Sequence, residues 1–130
     1  MNTTIVIAAA LLLDPQGQTL LVRKRGTAFF MQPGGKIDAG EQPVDALARE
    51  LEEELGIRID PARALFLGRS TAPAANEPGC QVACELFRVV IDEAVSPAAE
   101  IEEARWVNVD TANTLCLAPL TQHWVLPTFL

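Results

Sequence analysis

Apolar residues run without a break from Ile5 to Leu13, and a second, shorter run continues from Thr19 toward Arg25. The first run is too short to cross a bilayer and suits a strand buried on both faces. Asp14-Pro15-Gln16-Gly17-Gln18 separates the two with turn-forming residues, which predicts a β-hairpin. From Pro43 to Leu55 the period changes. At about 100° per residue, Val44, Leu47, Ala48, Leu51 and Leu55 share one stripe, which predicts an amphipathic helix lying on a core. Pro43 suits its first turn and Gly56 a left-handed stop just past its last.

Beyond the helix, Leu65 to Thr71 and Gln81 to Ile91 carry β-branched residues with Phe66 and Phe87 and are predicted strands; Arg105 to Val109, with Trp106, is a shorter one. Asp110 is a reasonable N-cap for a second helix over Thr111 to Cys116, with Pro119 ending it. The tail TQHWVLPTFL is too apolar to stay loose in water, so it should dock on the core or on a second subunit, the ground for expecting a homodimer. Phe30 is expected to pack in the core, and His123, beside Trp124, to be structural.

The polar side of the first helix is less ordinary. Glu50, Glu53 and Glu54 stand at i, i+3 and i+4 and share a face away from the apolar stripe. Like charges at this spacing cost roughly 0.2–0.5 kcal/mol per pair, and acids near a helix C-terminus oppose its dipole by about 0.3–1 kcal/mol each. A run of glutamates is most often a solvated face, and Glu52 fits that description. For the other three, the residues around them favour a cation. Pro33-Gly34-Gly35 precedes the helix, and adjacent glycines let backbone approach a ligand closely.

Taken together, Gly35, Glu41, Arg49-Glu50-Leu51, Glu53-Glu54 and Gly56-Ile57 occupy nine positions at fixed spacing. This pattern resembles the Nudix box at every defined position. The resemblance implies an α/β/α sandwich with a mixed β-sheet and a loop-helix-loop motif, and a magnesium- or manganese-dependent hydrolase of nucleoside diphosphates linked to another group. Hard cations of this kind do take carboxylate and carbonyl oxygens. By similarity to the family, Glu50 and Glu54 are direct metal ligands, Glu53 is a third ligand or the base that deprotonates the attacking water, and the Gly34 carbonyl also binds metal. Glu41 contacts the metal shell or pairs with Arg49, which orients it. Another ligand or base is expected ahead of Trp106, with Glu100 the first choice and Glu103 the second.

Positive charge is concentrated at Arg23-Lys24-Arg25 and at Lys36, either side of the glycine loop. These are candidate phosphate contacts, with Arg23 preferred because it follows the apolar run directly and alternation sends Lys24 to the other face. Gly34, Gly35 and Lys36 complete the expected substrate-binding set. The loop Ala72 to Gly79 has the composition of a surface turn, but Asn76 and Glu77 could hydrogen-bond a base or sugar.

Length and charge narrow the rest. The 130 residues suit one domain, 1–130, with 49% hydrophobic residues for its core. A formal charge of −7 argues against a nucleic-acid polymer as partner, and nothing in the sequence reads as a membrane anchor or a secretory signal, so a cytoplasmic protein is expected. Cys80, Cys84 and Cys116 lack paired zinc-ligand spacing. The leading expectation is a MutT-like pyrophosphohydrolase of a nucleoside triphosphate or modified nucleotide. The alternatives are ADP-ribose or another nucleotide sugar as substrate, or a module that holds a nucleotide without cleaving it.

Overall fold

The computed structural model describes residues 3–130. Its centre is a seven-stranded mixed sheet in the order β3-β2-β1-β6-β5, with β4 paired to β1 and β7 paired to β2. The strands are β1 (Thr3–Leu13), β2 (Thr19–Lys24), β3 (Phe30–Met31), β4 (Gly34–Lys36), β5 (Leu65–Pro73), β6 (Cys80–Val90) and β7 (Ile101–Val107). The long apolar β1 is central: it runs parallel to β6 from Thr3↔Cys80 to Leu13↔Val90 and antiparallel to both β2 and β4. Asp14 closes the β1–β2 hairpin, its Oδ1 accepting the amides of Gln16 and Gln18 at 3.0 and 2.8 Å.

Helix α1 (Pro43–Leu55) has the expected bounds, and Gly56 stops it at φ 70°, its amide donating to the Glu52 carbonyl at 3.0 Å. Leu47, Leu51 and Leu55 are fully buried against Ala8, Ala10, Leu12, Leu20 and Val22 on one face of the sheet. Alternate residues of the same strand, Ala9, Leu11 and Leu13, face the other way and meet Leu120 and Val125 from the C-terminal helical segment. The chain is therefore an α/β/α sandwich around a mixed sheet, as expected.

Several boundaries differ from the sequence reading. β7 begins at Ile101, four residues ahead of the expected start, because pairing with β2 extends through Arg23↔Glu103 to Lys24↔Ile101. Glu102 and Glu103 therefore belong to the strand. The short α2 (Val109–Ala112) is capped by Asn108, whose Oδ1 accepts the Thr111 amide at 2.8 Å, in place of Asp110. Pro119 opens a helical segment instead of closing one. That segment widens into a π-turn over Thr121–Val125 before α3 (Leu126–Phe129). The cause is Pro127, which has no amide hydrogen and whose ring would press on the carbonyl four residues earlier. The tail docks on the chain's own core: Val125 and Leu126 are buried, and Trp124 meets Phe129 edge-on with centroids 5.6 Å apart. Its apolar residues therefore no longer argue for a second subunit.

Candidate active site

The acidic end of α1 faces β4, and the two are held together by an arginine. Arg49 grips Glu41 with two hydrogen bonds, Nε to Oε2 at 3.0 Å and Nη2 to Oε1 at 2.9 Å, while Nη2 also reaches the Lys36 carbonyl at 3.0 Å. Its remaining nitrogen, Nη1, holds Glu50 Oε1 at 2.8 Å. One guanidinium thus ties the approach loop, β4 and the helix. This bidentate grip holds the Glu41 carboxyl down at about 2, helped by the Asp38 amide, and raises the pKa of Arg49 further above its ordinary value.

Glycine lets the backbone come this close. A Cβ on Gly35 would lie 2.4 Å from the Glu50 carboxyl carbon, and one on Gly34 would lie 2.1 Å from the Ala8 carbonyl oxygen. Gly34 also has φ 148°, which favours glycine, and its amide points to Glu54 Oε1 at 3.4 Å.

Glu54 is only 3% exposed and, among the described residues, forms no ion pair with a basic side chain. Burial first, and then the charge of Glu50, push its carboxyl up to about 7. Burial raises the Glu50 pKa too, against the pull of Arg49. Glu50 and Glu54 both line a cleft of about 640 Å³. Glu53 does not line it; half-exposed, it lies 3.8 Å from Arg49.

The far wall of this end is the segment before β7. Ser96 and Ala98 donate their amides to the carbonyls of Leu55 and Glu54, both at 2.9 Å, and the Arg25 amide donates to the Glu100 carbonyl at 2.8 Å. These bonds place Glu100 at the cleft, where its carboxylate meets Lys24 Nζ at 3.2 Å. Lys36, Gly34 and Gly35 line the cleft as expected. Arg23 does not. Alternation holds through Val22, Arg23 and Lys24, so Lys24 and not Arg23 shares the cleft side with Val22, and past the register shift between Arg23 and Lys24 the chain brings Arg25 to the cleft as well. Arg23 turns to Glu103 and the Thr27 carbonyl and sits over the buried Phe30 ring, while Lys24 and Arg25 reach the cleft. No aromatic residue of the described chain lines it, although Asn76 and Glu77 of the suspected loop do.

The donor set suits a magnesium-type ion. Asp38, Glu50, Glu54, Glu77 and Glu100 outnumber Lys24, Arg25 and Lys36 in the lining, so a polyphosphate needs extra positive charge to enter. Among the described residues no three acidic, histidine or cysteine side chains converge into a closed cage. An open shell of one or two carboxylates, completed by water and substrate phosphate, is how magnesium is usually held.

A family model, the NUDIX domain, matches residues 3–126. An octanoyltransferase of Myxococcus xanthus is 37% identical over 84% of this chain but only 31% of its own length, and an 8-oxo-dGTP diphosphatase of Haemophilus influenzae is 47% identical over 41% of this chain and 42% of its own. The MutT protein of Methanosarcina mazei Go1 superposes with a TM-score of 0.76 at 22% identity, over 91% of this chain and 86% of that one. The chain belongs to the Nudix family. It spans less than two thirds of the length of the first curated relatives it matches. No described helix is long and apolar enough to cross a membrane.

Proposed function

We propose that the chain is a metal-dependent Nudix pyrophosphohydrolase that cleaves a nucleoside triphosphate or modified nucleotide. The observation that carries this is Glu54, a carboxylate buried beside a second carboxylate at an open polar cleft and, among the described residues, paired with no basic side chain. Supporting it are the intact box and the likeness of 41% of the chain to an 8-oxo-dGTP diphosphatase.

Glu50, Glu54 and the Gly34 carbonyl would hold magnesium or manganese, which when bound supplies charge neutralisation at phosphate oxygens and an acidified water. Lys24 and Lys36 hold the phosphate chain in the cleft. Arg49 keeps Glu50 aimed at it. Glu100, on the cleft wall, takes the proton from the attacking water; Glu53 is the rival base. The water oxygen joins one phosphorus, the bridging P–O bond breaks, and the departing group leaves with the electron pair. No covalent enzyme intermediate is required.

The test is phosphate and pyrophosphate release from nucleoside triphosphates, oxidised nucleotides, ADP-ribose and dinucleoside polyphosphates, with magnesium or manganese and with chelator. Metal-dependent release from triphosphates supports the reading. Release from ADP-ribose alone would move the substrate, and binding without release would make the chain a holding module. Comparing E100Q with E53Q names the base: the larger loss of kcat marks it.

A further inference from the structure

The second end of the cleft holds a buried amide with nothing to bind. Gln32, just before Pro33-Gly34-Gly35, is 7% exposed and lines the cleft. Its Oε1 accepts the Thr121 hydroxyl at 2.7 Å, a buried bond to the C-terminal helical segment. Its Nε2 is buried and has no hydrogen-bond partner among the described residues. Leaving such a donor unpaired costs roughly 1–3 kcal/mol, so a folded chain keeps one where something else supplies the acceptor.

The surroundings say what that is. Gln32 lies at the cleft with Ile7 and Ala9, on the sheet face where the C-terminal segment packs and opposite the face that α1 covers. Substrate phosphates at Glu50 and Glu54 would leave the rest of a nucleotide over this aliphatic floor. With no aromatic lining to stack a base, a hydrogen bond has to select it. The Thr121 hydroxyl donates to Oε1, which leaves N–H as the end of the carboxamide that is not engaged.

We infer that Gln32 Nε2 donates to a keto oxygen of the nucleobase, which makes Gln32 a specificity-determining residue and Thr121 its positioning residue. Keto bases, guanine or uracil and thymine, offer an oxygen where adenine and cytosine carry an amino group that is itself a donor. The inference rests on the nucleotide hydrolase reading above.

The experiment is kcat and KM on GTP, UTP, ATP and CTP with magnesium for the wild-type chain, Q32L, Q32E and T121V, with a thermal melt of each. Q32L, close in size, removes the orphan donor but leaves the buried Thr121 hydroxyl without its acceptor, so its melt should stay close to that of wild type. It should lose about tenfold in kcat/KM on GTP and UTP through KM, with kcat kept. Q32E, which offers an acceptor, should shift preference toward ATP and CTP. T121V should raise KM for the keto nucleotides less than Q32L does, again with kcat kept. A wild type active on nucleotides whose keto-to-amino ratio is unmoved by Q32L and Q32E overturns the inference and leaves the hydrolase reading standing. A wild type silent on all four removes this inference, and the hydrolase reading falls with it only if oxidised nucleotides, ADP-ribose and dinucleoside polyphosphates are untouched as well.

Discussion

The two ends of the cleft are built by opposite means. At the α1 end, charge does the work: two partly or wholly buried carboxylates are pressed together, and Arg49 holds one of them from a fixed position against Glu41 and the Lys36 carbonyl. At the Gln32 end the lining is aliphatic, and a single amide, braced by Thr121, is the polar group left over. The first end is expensive to fold without a cation and indifferent to which base hangs from the phosphate. The second holds one unpaired donor and carries no chemistry. Turnover and selectivity are thereby assigned to separate sets of residues, and each set can be damaged alone.

The largest expected effect is at the charged end. E50Q should lower kcat by about a hundredfold or more while the fold survives, because it removes a ligand charge and relieves repulsion in the same step; equal turnover at saturating magnesium would contradict its role. G35A comes next. Its Cβ would meet the Glu50 carboxyl at 2.4 Å, and since that side chain can swing away, the melt should change little while kcat falls by about 10²-fold from the misplaced carboxylate. R49A should cost about 10–100-fold in activity by freeing Glu50.

A stability change that spares the site sharpens the same contrast. L51A empties a fully buried position under α1 and should cost about 2–5 kcal/mol by denaturant melt. The smallest effect concerns Glu41. Its carboxyl is held at about 2, below the ordinary 4.5, so its ion pair with Arg49 stabilises the fold above 4.5 and that contribution fades as pH falls toward 2. Wild type should therefore melt above E41Q near neutrality, and the gap should close on acidification. A gap that widens would mean Glu41 is not held by Arg49.

How much of this was legible in the sequence follows the same division. Helix α1 was legible because every signal for it is local: Pro43 at its start, Gly56 at its end, the stripe between. The shared face of Glu50 and Glu54 follows from helix geometry, and Arg49 and Glu41 from the family spacing. Glu53 shares that face in projection, yet half-exposed beside Arg49 it misses the cleft lining, since one turn of helix presents only part of its circumference to a cleft. Strands β3 and β4 were not legible. At two and three residues they have no period, and they exist through their pairing with β2 and β1. Lys24 was passed over for Arg23 because alternation puts the two on opposite sides but does not say which side faces the cleft; that is settled by Glu103, eighty residues on, which takes Arg23. Gln32 drew no reading from the sequence, because its meaning depends on Thr121, 89 positions away. Pro119 read as the end of a helix, but it opens one, and a π-turn ahead of Pro127 lets the tail stay helical and bring Thr121 to that amide.

The central claim is that the α1 end is folded around a cation it has to receive. It is tested most directly by thermal melts of wild type and E54Q, each with magnesium and with chelator. In chelator, E54Q should melt higher than wild type, because it removes a buried carboxylate that burial and Glu50 disfavour. Magnesium should raise the wild-type midpoint by several degrees at concentrations well above Kd and leave E54Q almost unmoved. Equal magnesium shifts in the two proteins, or an E54Q that melts below wild type in chelator, would contradict the account.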